Sequence, residues 1–165
     1  MSGSAYYPPP AFAFSAAVVS GPGYGPAAGI DSAFMEISGI DPKMDLEEVV
    51  EGGVNSHVHH LPGVTKHSNL VLKRGYVTQS SSLATWASQT VGSTLGSPIQ
   101  TQTLNVYLLG PNGQPLVTWT FLNAWPVKWE VGTFDSQNSN AVLTQTLEIA
   151  YTTVSATLSP SQGTA

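Results

Sequence analysis

The run HVHHLPGVTKHSNLVLKRG, residues 57–75, holds all four histidines of this 165-residue chain and three of its five basic residues. In an extended segment alternate side chains share a face, so His57 and His59 come close enough to share a metal ion. His60 or His67 could supply a third ligand, and Glu48 and Glu51 lie nearby as second-layer carboxylates. No HExxH or HxH-with-Asp pattern completes the set. The histidines are therefore read as polar loop residues, some bonded to backbone, and no metal ligand, cofactor or catalytic residue is assigned.

Other chemistries fare no better. Cysteine is absent, which removes thiolate nucleophiles, thiolate metal sites and disulfides. Serines are plentiful, but no GxSxG elbow occurs. The glycine-rich GPGYG (21–25) lacks a GK[ST] ending and a following helix, and GxGxxG is missing. Lys73 and Arg74 are adjacent, so on a strand they point to opposite faces, and each is expected to meet a carboxylate at an interface. Trp119, Trp125 and Trp129 suggest a sugar-binding platform. Trp119 and Trp129, however, fall on the apolar sides of alternating runs, so both are expected in the core.

Composition sharpens this picture. Charged residues make up 9% of the chain, against about 25% in ordinary soluble domains. Hydrophobic residues reach 41%, enough for a core in a single domain of this length. Sparse charge suits a surface covered by partner subunits. The net charge of −5 argues against a nucleic-acid-specific site. Asp41, Asp45, Glu47, Glu48 and Glu51 cluster in one short segment, either a solvated face or a docking surface for a basic partner. The opening MSGSAYYPPPAFAF has neither the basic start nor the apolar run of a signal peptide. No apolar run approaches the ~18 residues that span a bilayer. Folding in the cytoplasm without a membrane anchor is expected.

The elements that would position these residues are mostly strands. Alternation marks 11–19, 33–40, 69–77, 103–109, 115–124, 125–134 and 141–154, and permits another over 43–51. Asn112-Gly113 between two such runs is a strong hairpin signal. Leu83, Trp86, Ala87 and Thr90 recur at helical spacing after a capping serine among 80–82, with Gly92 as the stop. Residues 20–29 and 52–66 are punctuated by Gly and Pro and read as loops. The pattern predicts a mainly β domain, a small β-barrel or two packed antiparallel sheets with one flanking α-helix. It divides into a flexible arm over 1–10, a barrel over 11–154 and a mobile tail over 155–165.

Several stretches occur together and in order: YYPPPAFAF, AFMEISGI, EEVVEGGVNSHVHHLPG, KHSNLVLKRG, WTFLNAWPVKW and LEIAYTTV. In this combination the chain resembles the tail-tube family, the inner tubes of contractile phage tails and extracellular contractile injection systems, and is similar to type VI secretion tube proteins. The match spans roughly residues 6–154. The resemblance implies a structural, non-enzymatic subunit that forms hexameric rings, stacked into a hollow tube inside a contractile sheath. It implies partners in the sheath protein, the baseplate and tube initiator, a terminal cap, and lumenal effector cargo, in a particle that can be released from the cell. Residues 41–66 would form a projecting hairpin that reaches the neighbouring ring. Its interface residues would be Asp45, Glu47, Glu48, Glu51, Asn55, His57, His59, His60, Lys66 and His67, with Lys73 and Arg74 on a ring strand. Alternatives are a tube-initiating relative at the baseplate and a carbohydrate-binding β-sandwich module.

Overall fold

The computed structural model describes residues 13–19, 31–49, 59–76, 81–92, 98–132 and 143–159. In chain order these form β1 (Ala13–Val19), β2 (Asp31–Ser38), β3 (Pro42–Val49), β4 (His59–His67), β5 (Leu70–Gly75), α1 (Ser82–Val91), β6 (Gln102–Leu109), β7 (Pro115–Val131), β8 (Thr144–Ala150) and β9 (Thr153–Leu158). Seven strands make one sheet in the order β6-β1-β2-β5-β8-β7-β9, and an added β6–β7 pairing closes it on itself. The closed part is a six-stranded antiparallel barrel with β9 outside the closure. β3 and β4 form a separate two-stranded sheet.

Period-two patterning builds the barrel wall. β5, β6 and β8 each bury every second residue, placing Leu70 and Leu72, Leu104 and Val106, and Leu147 and Ile149 inside. Phe121 is fully buried and meets Tyr151 edge-on, with ring centroids 4.8 Å apart. The turn between β6 and β7 uses Gly113 at φ 72, and Gly113 N donates to the Gly110 carbonyl at 2.9 Å. That is the left-handed residue a glycine supplies without steric cost.

β7 turns a corner. Its first half lies between β6 and β9, and its second half pairs with β8. The register shifts between Leu104↔Phe121 and Gln102↔Ala124, leaving one extra residue on β7. Asn123 stands in that bulge at φ 50, a left-handed conformation that Asn tolerates better than most residues. Facing it, β8 and β9 are two halves of one run broken at Tyr151-Thr152, where Thr152 N donates to the Leu122 carbonyl at 3.0 Å.

The helix packs on β7 and β1 and adds Leu83, Trp86 and Ala87 to the core. Ser81 is the cap: its Oγ accepts from Ala84 N at 3.1 Å, and Gly92 N closes the other end on the Ser88 carbonyl.

Four sequence expectations change. The segment containing Pro62-Gly63 is a strand, not a loop, because β4 pairs with β3 alone and bulges opposite Asp45; such two-stranded edges accept proline and glycine. The two runs over 115–134 are one strand that ends at Val131. Strand order continues to Leu158, into the segment read as a tail. Trp129 keeps 37% of its surface exposed and is not a core residue. It stands opposite buried Leu147, but on the last turn of a strand that nothing described covers. Residues 1–10 and the end of the chain from 160 lie outside the described residues.

Candidate assembly surface

The β3–β4 hairpin is inserted between β2 and β5, so it leaves and re-enters the barrel at one end. Tyr151 fastens its root, donating its hydroxyl to the Gly39 carbonyl at 3.0 Å and stacking on the His67 ring at 5.3 Å between centroids. Burial pushes the Tyr151 phenol above its ordinary pKa. Strand alternation places Met44, Leu46, Pro62 and Thr65 on one side of the hairpin and Lys43, Asp45, Glu47 and Lys66 on the other. Met44 and Leu46 are exposed, as are Leu61 and Val64. Lys66 Nζ lies 2.6 Å from Asp45 Oδ2; this hydrogen bond, then the lysine charge, holds the carboxyl below its usual range. Both groups are well exposed, so the pair contributes little stability.

Strand alternation also gives the barrel wall a polar outer face over four neighbouring strands. The register aligns Glu36, Lys73, Thr146 and Glu130 across β2, β5, β8 and β7, and beside them Ser38, Val71, Glu148 and Lys128. Their charges are mutually engaged. Lys128 meets Glu130 at 2.6 Å, Asn69 donates to Glu148 at 2.7 Å, and Lys73 lies 3.9 Å from Glu36.

Both outer edges of this four-stranded face are open among the described residues. β1 pairs with β2 only as far as Phe34, which leaves the Met35–Ser38 edge without a neighbour. β6 pairs with β7 only as far as Ala124, which leaves the far side of Trp125–Val131 likewise unpaired. Large apolar side chains stand exposed along both edges: Met35 at 65% on one, Val127 at 40% and Trp129 at 37% on the other. β9 and both hairpin strands offer further open edges.

The sequence-derived candidates separate into groups. Asp45, Glu47 and Lys66 lie on one hairpin face. Glu48 stands opposite His60 and Val49 opposite His59 in register, and His67 is at the root. Glu51, Asn55 and His57 fall outside the described residues. Lys73 and Arg74 do point to opposite faces, but only Lys73 is outside. Arg74 is buried at 4% exposure, donates to Ser81 Oγ at 2.6 Å and lies over the Phe34 ring at 5.3 Å. It therefore anchors the helix cap from within the barrel and is not a surface ligand. The small void beside it, lined by Phe34, Leu72, Leu83, Gln145 and Leu147, holds space for about one water. Among the described residues no group of three His, Asp or Glu converges to hold a metal, and no helix is long and apolar enough to cross a membrane. The open edges of β2 and β7 were missed in the sequence. Their only trace there was excess apolar character at Met35 and Val127, which simple alternation folds into the core.

The family model of the T4-like virus tail tube protein gp19 matches residues 10–155. A chain in the cryo-EM structure of the anti-feeding prophage (AFP) baseplate, 6-fold symmetrised, is 28% identical with a TM-score of 0.76, over 92% of this chain and 96% of that one. A chain in the sheath-tube complex of an extracellular contractile injection system, PVC, in the extended state is 22% identical with a TM-score of 0.73, over 94% and 95%. Hcp1 from Flavobacterium johnsoniae is 20% identical with a TM-score of 0.51, over 88% and 94%. No curated protein matches the chain significantly.

Proposed function

The chain belongs to the T4-like virus tail tube protein family, and on that membership we propose that it is the inner-tube subunit of a contractile injection system or phage-tail-like particle. Identical copies close into hexameric rings, and the rings stack into a hollow tube inside a contractile sheath. The observation that carries this reading is the match over nearly the whole barrel, residues 10–155. The open sheet edges support it. An unpaired row of amides and carbonyls accepts another chain, and a heterologous contact gives a ring where its rotation closes. The role is structural, with no catalytic step. The partners are further copies of the chain, the sheath, the baseplate and a terminal cap, and effectors are the cargo of the bore. The tube is assembled in the cytoplasm and leaves the cell within the particle.

The β3–β4 hairpin is the contact between rings. Its residues Asp45, Glu47, Glu48, His59, His60, Lys66 and His67, with Glu51, Asn55 and His57 in the intervening segment, face the next ring. Reversing charge at Glu47, Glu48 and Glu51 together is expected to leave the subunit folded, because Glu47 is exposed and engaged in no ion pair of the hairpin. Stacking should be impaired, giving rings or short stubs in place of rods. Rods of normal length from this variant would remove these residues from the ring-to-ring contact.

Negative-stain electron microscopy of the purified protein tests the reading as a whole. Rings or hollow rods are expected; material that stays monomeric in light scattering at high concentration would overturn it. A second reading is the tube-initiating relative at the baseplate, favoured by the 28% identity to the AFP baseplate chain. An initiator would stop at one or a few rings on its own, whereas the main tube subunit would extend.

A further inference from the structure

We propose that the polar face of β2, β5, β8 and the second half of β7 is the wall of the tube's bore, closed by pairing the Trp125–Val131 edge of each copy with the Met35–Ser38 edge of the next. This inference rests on the tube reading and adds which strands line the channel and what the channel presents to its cargo.

Strand direction is the first support. β2, β5, β8 and β7 alternate, each antiparallel to its neighbour. With an even number of strands, the two outer ones run in opposite directions. A copy rotated about the tube axis therefore brings its β2 antiparallel to the β7 beside it, and the sheet continues without a break in pattern. Both outer edges of this face are open, and both carry uncovered large apolar side chains: Met35 on one, Val127 and Trp129 on the other. An exposed apolar edge strand is a liability in a lone subunit and is resolved by a neighbouring strand. The remaining sheet of the barrel, β1-β6-β7-β9, lacks this symmetry. Its β9 edge is open, but its β1 edge is taken up by β2 over Phe14–Ala16.

Size is the second. Four strands from each of six copies give about 24 strands, which at roughly 4.8 Å spacing make a circumference of about 115 Å. The bore is then about 37 Å across between backbones, and wider once the strands tilt. Chemistry is the third. The wall's charges are engaged with one another, Lys128 with Glu130, Lys73 with Glu36, and Glu148 with Asn69. A passing polypeptide meets few unengaged charges and little apolar surface, so a protein cargo slides without sticking.

The chain's lack of cysteine allows introduced thiols to report singly. Lys128→Cys, on the proposed wall, should react with a large polyethylene-glycol maleimide in free subunits and lose that reaction in assembled rods, while still accepting a small maleimide. Thr157→Cys, on exposed β9, should stay open to the large reagent in rods. Combining Met35→Cys with Val127→Cys should let a short bis-maleimide join copies into a ladder up to the ring, which neither variant alone produces. All four positions are exposed or lie on exposed strand surface, so the variants fold. Rods in which the Lys128→Cys thiol reacts freely, or in which the paired variant gives no ladder, overturn the wall while leaving the tube reading intact. Protection of Thr157→Cys with Lys128→Cys open assigns the bore to the other sheet. Absence of rings and rods in micrographs overturns both.

Discussion

Phe121→Ala is expected to destabilise the subunit by about 3–5 kcal/mol, the scale for truncating a large buried aromatic. Phe121 has no exposed surface, aligns with Leu104 across the sheet and with Val154 on the other side, and meets Tyr151 edge-on. Its removal leaves a cavity where β7 changes partners, at a corner that a bulge already holds. Since small domains are stable by only about 5–15 kcal/mol in total, the variant should be marginal. Trp129→Ala removes a larger side chain, yet more than a third of Trp129 lies exposed on an edge strand. The loss in the isolated subunit should be clearly smaller. Urea denaturation of both variants, at concentrations below assembly, checks the order. A Trp129 loss equal to or above that of Phe121 would contradict the burial described.

That contrast marks where alternation can be read from sequence and where it fails. β5, β6 and β8 are regular, so the apolar positions Leu70, Leu72, Leu104, Val106, Leu147 and Ile149 give both the strand and its inward face. The helix was legible for the same local reason: Leu83, Trp86 and Ala87 at helical spacing, with a serine before and a glycine after. β7 is not regular. The register shift between Pro126 and Lys128 makes Val127 an extra residue, so counting by twos from Val127 groups it wrongly with Trp129 and Val131. Bulges are fixed by what lies across the sheet, and a single strand's sequence carries no record of its partner. β4 was hidden for a related reason. Pro62 and Gly63 punctuate it as they would a loop, and only its pairing with β3 makes it a strand. Arg74 shows the limit for side chains. Alternation put it opposite Lys73, but its inward position depends on Ser81 and Phe34, distant elements that meet it only in the folded barrel. The family resemblance, by contrast, drew on whole motifs and was insensitive to these local errors.

Gly39→Val is expected to disable the hairpin on which the proposed stacking depends. Gly39 follows the last residue of β2 at φ +86, a conformation a β-branched residue adopts only under strain. A side chain there would also run into the Asn69 carbonyl, on the strand that returns from the hairpin. Neither backbone can yield without separating the two strands at the hairpin's root. The left-handed penalty alone is about 1–2 kcal/mol, and the collision adds to it. Tyr151→Phe is the milder probe of the same junction. It removes the single hydrogen bond to the Gly39 carbonyl, worth about 1 kcal/mol, and keeps the ring contacts with His67 and Phe121. Urea midpoints should therefore fall in the order native, Tyr151→Phe, Gly39→Val. In micrographs the Gly39→Val protein should give at most isolated rings, since ring closure uses strand edges away from the root while stacking needs the hairpin held in place. Full-length rods from Gly39→Val would mean that ring-to-ring contact is made elsewhere on the subunit, and a native midpoint would mean that the root has more freedom than its geometry allows.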